Sequence, residues 1–210
     1  MPRVGILASL LSPTSPLTRK GRARRRFNCE RQSEWDERAE TAVALLMDHR
    51  EAWRPASGRP ARIADFGAGN ERLRSLLASR LGDEAEYRPY DLHPQLPTTQ
   101  RLDVSQGLPD DGFDVAICLG LLEYLPSIPD LVRNLGTACR FALISYVTSD
   151  SPVAMPHEDR LLHGWTTHFK AGEIEATFVE AGFQLLGRGN SEGEITTLWL
   201  WAAEGPAMPR

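Results

Sequence analysis

The stretch ARIADFGAGNERL, residues 61–73, is the most informative part of this chain. Its first half is apolar and follows Pro60, which is typical of a buried strand in a parallel sheet. Its second half predicts the start of a helix, with Asn70 as the N-cap residue and Glu71 at the positive end of the helix dipole. A strand, a glycine turn and a helix in this order are typical of the nucleotide site of a doubly wound α/β domain.

Gly67 and Gly69 define the turn between that strand and that helix. Glycine tolerates positive φ angles and lets a ligand approach the bare backbone. The N-terminus of the helix after the turn offers free N–H groups, which attract an anionic group such as a carboxylate or a phosphate. The turn therefore predicts a ligand site directly after the first strand.

Composition and charge limit the class of protein. The chain has 210 residues, enough for one domain with some extra length, and its apolar content of 41% is ordinary for a globular protein. The net charge of −4 provides no basic field to attract nucleic acid or an anionic membrane, and no apolar run is long enough to span a bilayer. Three separated cysteines, Cys29, Cys118 and Cys139, indicate reduced thiols rather than disulfides or a zinc site, so we expect a cytoplasmic protein.

Two segments precede the core strand. Residues 1–26 predict a flexible basic tail, whose arginine cluster at residues 19–26 could bind phosphates of RNA or of a phosphorylated substrate. We favour a solvated arm, because no aromatic stacking platform is interleaved with the basic residues. Residues 27–58 predict a helical extension, since apolar residues recur at helical spacing between residues 34 and 53. This helix either covers the ligand site or only packs against the sheet.

The remaining residues, 59–205, alternate between strand and helix patterns, which predicts a parallel α/β sheet. We expect a Rossmann-like fold with a seven-stranded, mostly parallel sheet and helices on both faces. The predicted strands are residues 61–66, 85–91, 101–104, 113–120, 141–147, 183–188 and 194–203, with a closing turn at 189–193 and an irregular stretch at 149–169.

Ligands of such sheets bind outside the carboxyl ends of the strands, where Asp91 comes 22 residues after Gly69. An acidic side chain at this place can accept two hydrogen bonds from a ribose diol. The same spacing also fits a nicotinamide dehydrogenase. However, Arg72 replaces the third glycine of that motif, and its bulk argues against a pyrophosphate lying across the helix start.

Four segments together resemble the class I S-adenosylmethionine-dependent methyltransferases, over residues 61–204. The residues DFGAG, 65–69, resemble the first motif of that family, and Asp91 matches its ribose-binding acid. LDV, 102–104, matches the segment that contacts adenine, and FDVAICLGLLEYL, 113–125, resembles the family's fourth strand and the helix start after it. Two positions depart from the family: Glu71 stands where a third glycine is common, and Tyr124 stands where histidine is common.

The resemblance implies S-adenosylmethionine as cofactor. Asp65 would hold its amino group, directly or through water, and Asp91 would bind its ribose hydroxyls. Leu92 would pack on adenine, and Asp103 would accept a hydrogen bond from the adenine amine; alternatively, Asp65 is a cap and Asp103 a turn residue before Ser105. The implied cofactor-binding residues are Asp65, Gly67, Ala68, Gly69, Asp91, Leu92, Asp103, Val104, Leu119 and Gly120.

The acceptor side is predicted from the irregular stretch and from Tyr124. Histidine suits deprotonation of a hydroxyl or an amine near neutral pH, although these histidines could instead cap a helix or pack beside Trp165. Arg160 would suit an anionic substrate such as a nucleotide-linked sugar. No carboxylate comes after the histidines at ligand spacing, so we predict no metal site. The candidate catalytic residues are His163, His168, Tyr146 and Tyr124.

We therefore expect an enzyme that transfers a methyl group from S-adenosylmethionine to an oxygen or nitrogen of a small molecule or glycan precursor. The arginine cluster keeps an RNA methyltransferase open as an alternative. The departures at Glu71 and Tyr124 keep open a module that binds the cofactor without catalysis. We expect no membrane partner, and the sequence does not indicate an oligomeric state.

Overall fold

The computed structural model describes residues 32–204, which form one seven-stranded sheet with helices on both faces. The strands are β1 (Ala61–Phe66), β2 (Ala85–Asp91), β3 (Gln100–Arg101), β4 (Phe113–Cys118), β5 (Cys139–Tyr146), β6 (Phe183–Ser191) and β7 (Thr196–Ala203). The α-helices are α1 (Gln32–Asp48), α2 (Arg50–Trp53), α3 (Arg72–Leu81), α4 (Ile128–Ala138), α5 (His157–Leu162) and α6 (Ala171–Glu180).

The strand order is β3-β2-β1-β4-β5-β7-β6. Neighbouring strands from β3 to β5 pair in parallel, whereas β7 is antiparallel to both β5 and β6. The reversal of strand order between β1 and β4 places a crevice at the carboxyl ends of these two strands. This topology confirms the predicted Rossmann-like, mostly parallel fold with an N-terminal helix.

Two apolar cores lie on opposite faces of the sheet, because alternate residues of each strand point to opposite sides. Ala64 of β1 belongs to the core under α4 and α6, and its neighbour Ile63 belongs to the core under α1 and α3. The N-terminal helix is therefore part of the main body, with Leu46 fully buried against the sheet.

Three local predictions were wrong in detail. The helix α3 begins at Arg72, and Glu71, not Asn70, occupies the N-cap position without capping through its side chain. The strand β3 ends at Arg101, because the Asp103 side chain accepts a hydrogen bond from the Ser105 amide and caps a 3₁₀ turn. The stretch 149–169 contains helix α5, with two acidic residues in its first turn.

The closing turn lies at residues 192–195 rather than at the predicted 189–193. Strand β6 continues through Gly189 to Ser191, paired with β7. Glu192 then enters the turn with a positive φ, and Arg38 of α1 donates to both of its carboxylate oxygens at 2.8 and 2.7 Å. A contact distant in sequence thus fixes this turn, which a local pattern could not reveal.

Residues 1–31 and 205–210 lie outside the described part of the chain, and so do the predicted basic tail and Cys29. None of the described helices has the length and apolar character needed to cross a membrane. Cys118 and Cys139 are buried and free.

Candidate active site

A cavity of about 470 Å³ opens at the carboxyl ends of β1, β2 and β4. Its walls come from the turn after β1, the end of β2, the segment after β3, the loop after β4, the start of α1 and the loop after α5. This is the expected place for a ligand in an open α/β sheet. All ten residues predicted to bind the cofactor line this cavity, as do two of the four candidate catalytic residues.

The glycine turn lies tightly against the end of β2. The Gly67 and Ala68 amides donate to the Tyr90 carbonyl at 2.8 and 3.0 Å, and the Gly69 amide donates to Asp91 Oδ2 at 3.0 Å. Gly67 has φ +83°, and a Cβ there would lie 3.2 Å from a Leu121 methyl group. The three turn amides are therefore used within the protein, and the turn offers a smooth backbone surface rather than free N–H donors.

Asp91 lies on the cavity wall with 9% of its surface exposed. Its Oδ2 accepts from the Gly69 amide, and its Oδ1 accepts from the His93 amide at 2.8 Å. A carboxylate has about four acceptor sites, so each oxygen can accept another hydrogen bond. The backbone thus orients Asp91 while leaving it able to receive two neighbouring hydroxyls.

Asp65 is the most perturbed carboxyl group of the cavity. Burial raises its pKa to about 7, and the nearby Asp91 and Glu71 charges add to this effect. The Tyr87 hydroxyl, which donates to Asp65 Oδ2 at 2.5 Å, acts in the opposite direction. A cationic group bound beside Asp65 would favour its ionised form, so the site suits an ammonium group.

Asp103 has a structural function in addition to its place on the cavity wall. Its Oδ1 accepts from both the amide and the hydroxyl of Ser105, at 3.1 and 2.6 Å. The turn interpretation considered from the sequence therefore holds for this side chain. Contact with an adenine amine stays a prediction.

Helix α1 contributes Trp35 and Ala39 to the cavity, so it covers the site as well as packing on the sheet. Gly120, at the end of β4, has φ +58°, and a Cβ there would lie 2.5 Å from the Trp35 ring. Glycine is required at this position because both the backbone angle and the indole exclude a side chain. The helical spacing of apolar residues between positions 34 and 53 includes Trp35, but that spacing does not indicate that the residue reaches the site.

The acceptor candidates Tyr124 and His163 meet at the cavity through Trp165. The Trp165 indole donates to the Tyr124 hydroxyl at 2.8 Å, and the His163 ring stacks on Trp165 with 5.4 Å between ring centres. His163 is exposed, so it lies at the mouth of the cavity. This group presents an imidazole and a phenol to a ligand that enters there.

Tyr146 and His168, the other two candidates, do not line the cavity. Tyr146 is fully buried, and its hydroxyl accepts from the Phe169 amide at 3.0 Å. His168 Nδ1 accepts from Arg160 Nε at 3.2 Å; burial, together with the charges of His157 and Arg160, lowers the pKa of His168. This geometry favours a supporting role for both side chains over direct contact with substrate.

The expectation that Arg160 meets an anionic substrate is wrong. Its side chain is only 1% exposed, and its guanidinium donates to the Val147 and Thr148 carbonyls at 2.7 and 3.2 Å. These bonds join helix α5 to the chain that leaves β5. Arg160 therefore holds the cavity wall that carries His163 instead of facing a ligand.

The part of the cavity around Asp65, Gly67 and Asp91 has polar groups that fit S-adenosylmethionine. Asp65 suits an ammonium group, Asp91 suits a ribose diol, and the bare turn at Gly67 leaves room for a close approach of the ligand. Within residues 32–204, no group of three or more histidine, cysteine or acidic residues is arranged to hold a metal ion.

Comparison with known proteins supports this assignment. A family model described as a methyltransferase domain matches residues 28–187. No curated protein matches the chain significantly.

Several solved structures share the fold. The Burkholderia thailandensis 1,6-didemethyltoxoflavin-N1-methyltransferase, solved with S-adenosylhomocysteine, has a TM-score of 0.63 and 17% identity, over 98% of this chain and 92% of that one. The magnesium protoporphyrin IX methyltransferase of Synechocystis PCC 6803 has a TM-score of 0.59 and 16% identity, over 88% and 94%. The [4+2]-cyclase SpnF has a TM-score of 0.58 and 10% identity, over 79% and 80%.

At these identities the structural likeness establishes the fold alone. The family model, in contrast, covers well over half of the chain. With the cavity and its donor set, it shows that the chain belongs to the methyltransferase-domain family and is an S-adenosylmethionine-dependent methyltransferase.

Proposed function

We propose that this enzyme methylates an oxygen or nitrogen atom of a small, flat molecule that enters the cavity beside His163. The observation that carries the proposal is one cavity of about 470 Å³ that contains both the cofactor residues and the acceptor candidates. Ligand cavities for single small molecules commonly have volumes of about 300–1,000 Å³. A cavity of this size shared by two ligands leaves space for a small acceptor rather than for a polymer.

The rings and apolar side chains that line the cavity favour an acceptor with an aromatic or apolar face. Trp35 and Tyr124 contribute rings, and Leu121, Leu125 and Pro126 contribute apolar surface. Such surfaces bind flat rings by burial and stacking, and a few polar groups then fix the orientation. His163 and Tyr124 supply those polar groups here.

The charges around the cavity do not favour a nucleotide-linked sugar. Among the described residues that line the cavity, Arg72 is the one arginine or lysine, and it forms a salt bridge with Asp36 of α1. Arg160, which suggested an anionic substrate from the sequence, donates to backbone carbonyls instead. The glycan-precursor alternative thus loses its main support.

Cofactor binding and proton acceptance take place at different ends of the cavity. The bound cofactor supplies a methyl group already activated by its sulfonium charge. Asp65 and Asp91 hold the ammonium and ribose groups in place, so much of the acceleration comes from positioning. His163 accepts the proton that a hydroxyl or amine acceptor loses, and Trp165 fixes the imidazole plane by stacking.

Two alternatives have less support. The hypothesis of an RNA methyltransferase depends on the arginine cluster at residues 19–26, which lies outside the described residues. The hypothesis of a non-catalytic module depends partly on the absence of a histidine at position 124. However, His163 supplies an imidazole at the same cavity.

A transfer assay with S-adenosylmethionine labelled in its methyl group tests the proposal. The panel contains hydroxylated aromatics, heteroaromatic amines, nucleotide sugars and transfer RNA. We expect label on a small aromatic acceptor, with loss of transfer in His163→Ala and normal transfer in Leu162→Ala, an exposed neighbour. Label found only on RNA or on a nucleotide sugar would overturn the proposed acceptor class.

A further inference from the structure

Glu71 occupies a backbone conformation that favours glycine. Its φ and ψ angles are 58° and 40°, in the left-handed region, and it directly precedes helix α3. A side chain in this conformation is strained, because Cβ approaches the next carbonyl oxygen along the chain. The strain persists only where surrounding contacts compensate for it.

The Glu71 side chain has such contacts. It is buried, with only 5% of the residue surface exposed. Its Oε1 accepts from the hydroxyls of Thr98 and Thr99 at 2.6 and 2.5 Å, and its Oε2 accepts from Arg74 Nε at 2.5 Å. Burial raises the pKa of Glu71, but these three hydrogen bonds outweigh burial and lower the pKa overall. The group is therefore a carboxylate in its working state.

The bonds to Thr98 and Thr99 join two segments that each contribute other residues to the cavity wall. The turn Gly67–Gly69 lies on one side of Glu71, and Thr98 and Thr99 lie in the loop from β2 to β3, on the other. That loop begins directly after Asp91, which already binds the Gly69 amide. Glu71 thus makes a second connection between the turn and the segment that carries the ribose-binding acid.

We propose that Glu71 is a positioning residue that fixes the glycine turn against the β2–β3 loop, so that replacing it by glycine weakens cofactor binding even though glycine relieves the backbone strain. The residue does not line the cavity, so it acts through the turn and the loop rather than by touching the ligand. The inference concerns the cofactor end alone and does not depend on the proposed acceptor.

Calorimetric titration of the full chain with S-adenosylhomocysteine tests this inference. We expect Glu71→Gly to raise the Kd about tenfold, as loss of a hydrogen-bonded buried carboxylate implies. Glu71→Gln keeps an acceptor oxygen and should restore most of the affinity. Glu194→Gly is the matched control, because Glu194 also has a positive φ, 72°, but lies exposed in the β6–β7 turn.

Two further readouts separate positioning from a general loss of stability. Hydrogen exchange of the unliganded protein should become faster at residues 67–71 in Glu71→Gly and remain unchanged elsewhere. Thr99→Val removes one donor while keeping the side-chain shape, and it should weaken S-adenosylhomocysteine severalfold without lowering the Tm comparably.

An equal or tighter Kd for Glu71→Gly would overturn the inference. If Glu71→Gly does not fold, Thr99→Val replaces it, and an unchanged Kd in that variant would overturn the inference instead. Failure of the acceptor proposal would leave these binding results unaffected, because no acceptor is present in the titration.

Discussion

The two ends of the cavity are built in different ways. The cofactor end consists of strand termini and the turns next to them. The Gly67 and Ala68 amides donate to the Tyr90 carbonyl there, and the Gly69 and His93 amides donate to the Asp91 carboxylate. At the acceptor end, Tyr124 after β4 and His163 after α5 meet through Trp165, although these residues come from separate segments of the chain. Side chains such as Trp165 and Arg160 hold that end together.

This difference has a functional consequence. The Asp91 carboxylate holds the cofactor end together, whereas Trp165 and Arg160 hold the acceptor end, so the two ends do not share these contacts. Functional residues carried by loops and helix ends tolerate variation more readily than the strands that support them. The two ends should therefore respond separately to mutation.

The largest expected effect is that of Asp91→Ala on the cofactor end. Wild-type protein with S-adenosylhomocysteine at about 100 times its Kd should gain about 2.7 kcal/mol, which raises the Tm by roughly 5–10 °C for a chain of this size. Asp91→Ala should lose this rise, because the predicted acceptor for the ribose hydroxyls disappears and the Gly69 and His93 amides lose their partner. Asp83→Ala, exposed after α3, is the control and should keep it. A normal shift in Asp91→Ala would show that the acid does not bind the ribose.

His163→Ala should have the next largest effect, and on the acceptor end only. Loss of a general base typically lowers kcat about 100-fold or more, so we expect that loss with an unchanged Kd for S-adenosylhomocysteine. Steady-state kinetics with the acceptor found in the transfer assay, together with calorimetry, give both values. His157→Ala, on the same segment but outside the cavity, should retain activity. If His163→Ala retains full kcat, the base lies elsewhere.

Trp35→Ala tests whether helix α1 belongs functionally to the acceptor end. We expect the KM for the acceptor to rise about tenfold, since stacking against an aromatic ring contributes about 0.5–1.5 kcal/mol beyond burial. The Kd for S-adenosylhomocysteine should change much less. Glu40→Ala, exposed on the same helix, provides the comparison. An equal effect on both ligands would remove the distinction between the two ends at this wall.

The last expected effect, at most as large as that of Trp35→Ala, concerns pH. The pKa of Asp65 is raised to about 7, so this carboxyl takes up a proton as pH falls below 7. If the ionised form holds the ammonium group of the cofactor, affinity falls on acidification, by up to about tenfold between pH 8 and pH 6. Calorimetry across this range should show the fall together with proton release on binding. Asp65→Asn should give a flat profile, and a wild-type profile that is equally flat would contradict the role of Asp65.

All ten cofactor candidates line one cavity, because the sequence places them at strand ends and in the turns beside them. Their contact with the cofactor stays a prediction. Glycines at a strand-to-helix turn and an acid 22 residues later are local signals of a site formed by strand ends. The sheet could also be predicted from the sequence, because buried strands such as β4 are rich in apolar residues.

The acceptor end was only partly predictable. Tyr124 and His163 could be identified as candidates, but Tyr146 and His168 have the same residue types and similar surroundings in sequence. Which of these four side chains reach the cavity depends on tertiary contacts, such as the hydrogen bond from Arg160 to His168. Arg160 itself was misassigned, because a sequence does not show whether a guanidinium meets a ligand or buried carbonyls.

The most direct test measures S-adenosylhomocysteine binding by calorimetry to wild type, Asp91→Ala and His163→Ala under one set of conditions. Our account predicts that wild type and His163→Ala bind alike, while Asp91→Ala binds at least about 100-fold more weakly, as two lost bonds to a charged group imply. Equal loss of binding in both variants would contradict the separation of the two ends. Absence of binding to wild type would contradict the assignment of the cofactor site itself.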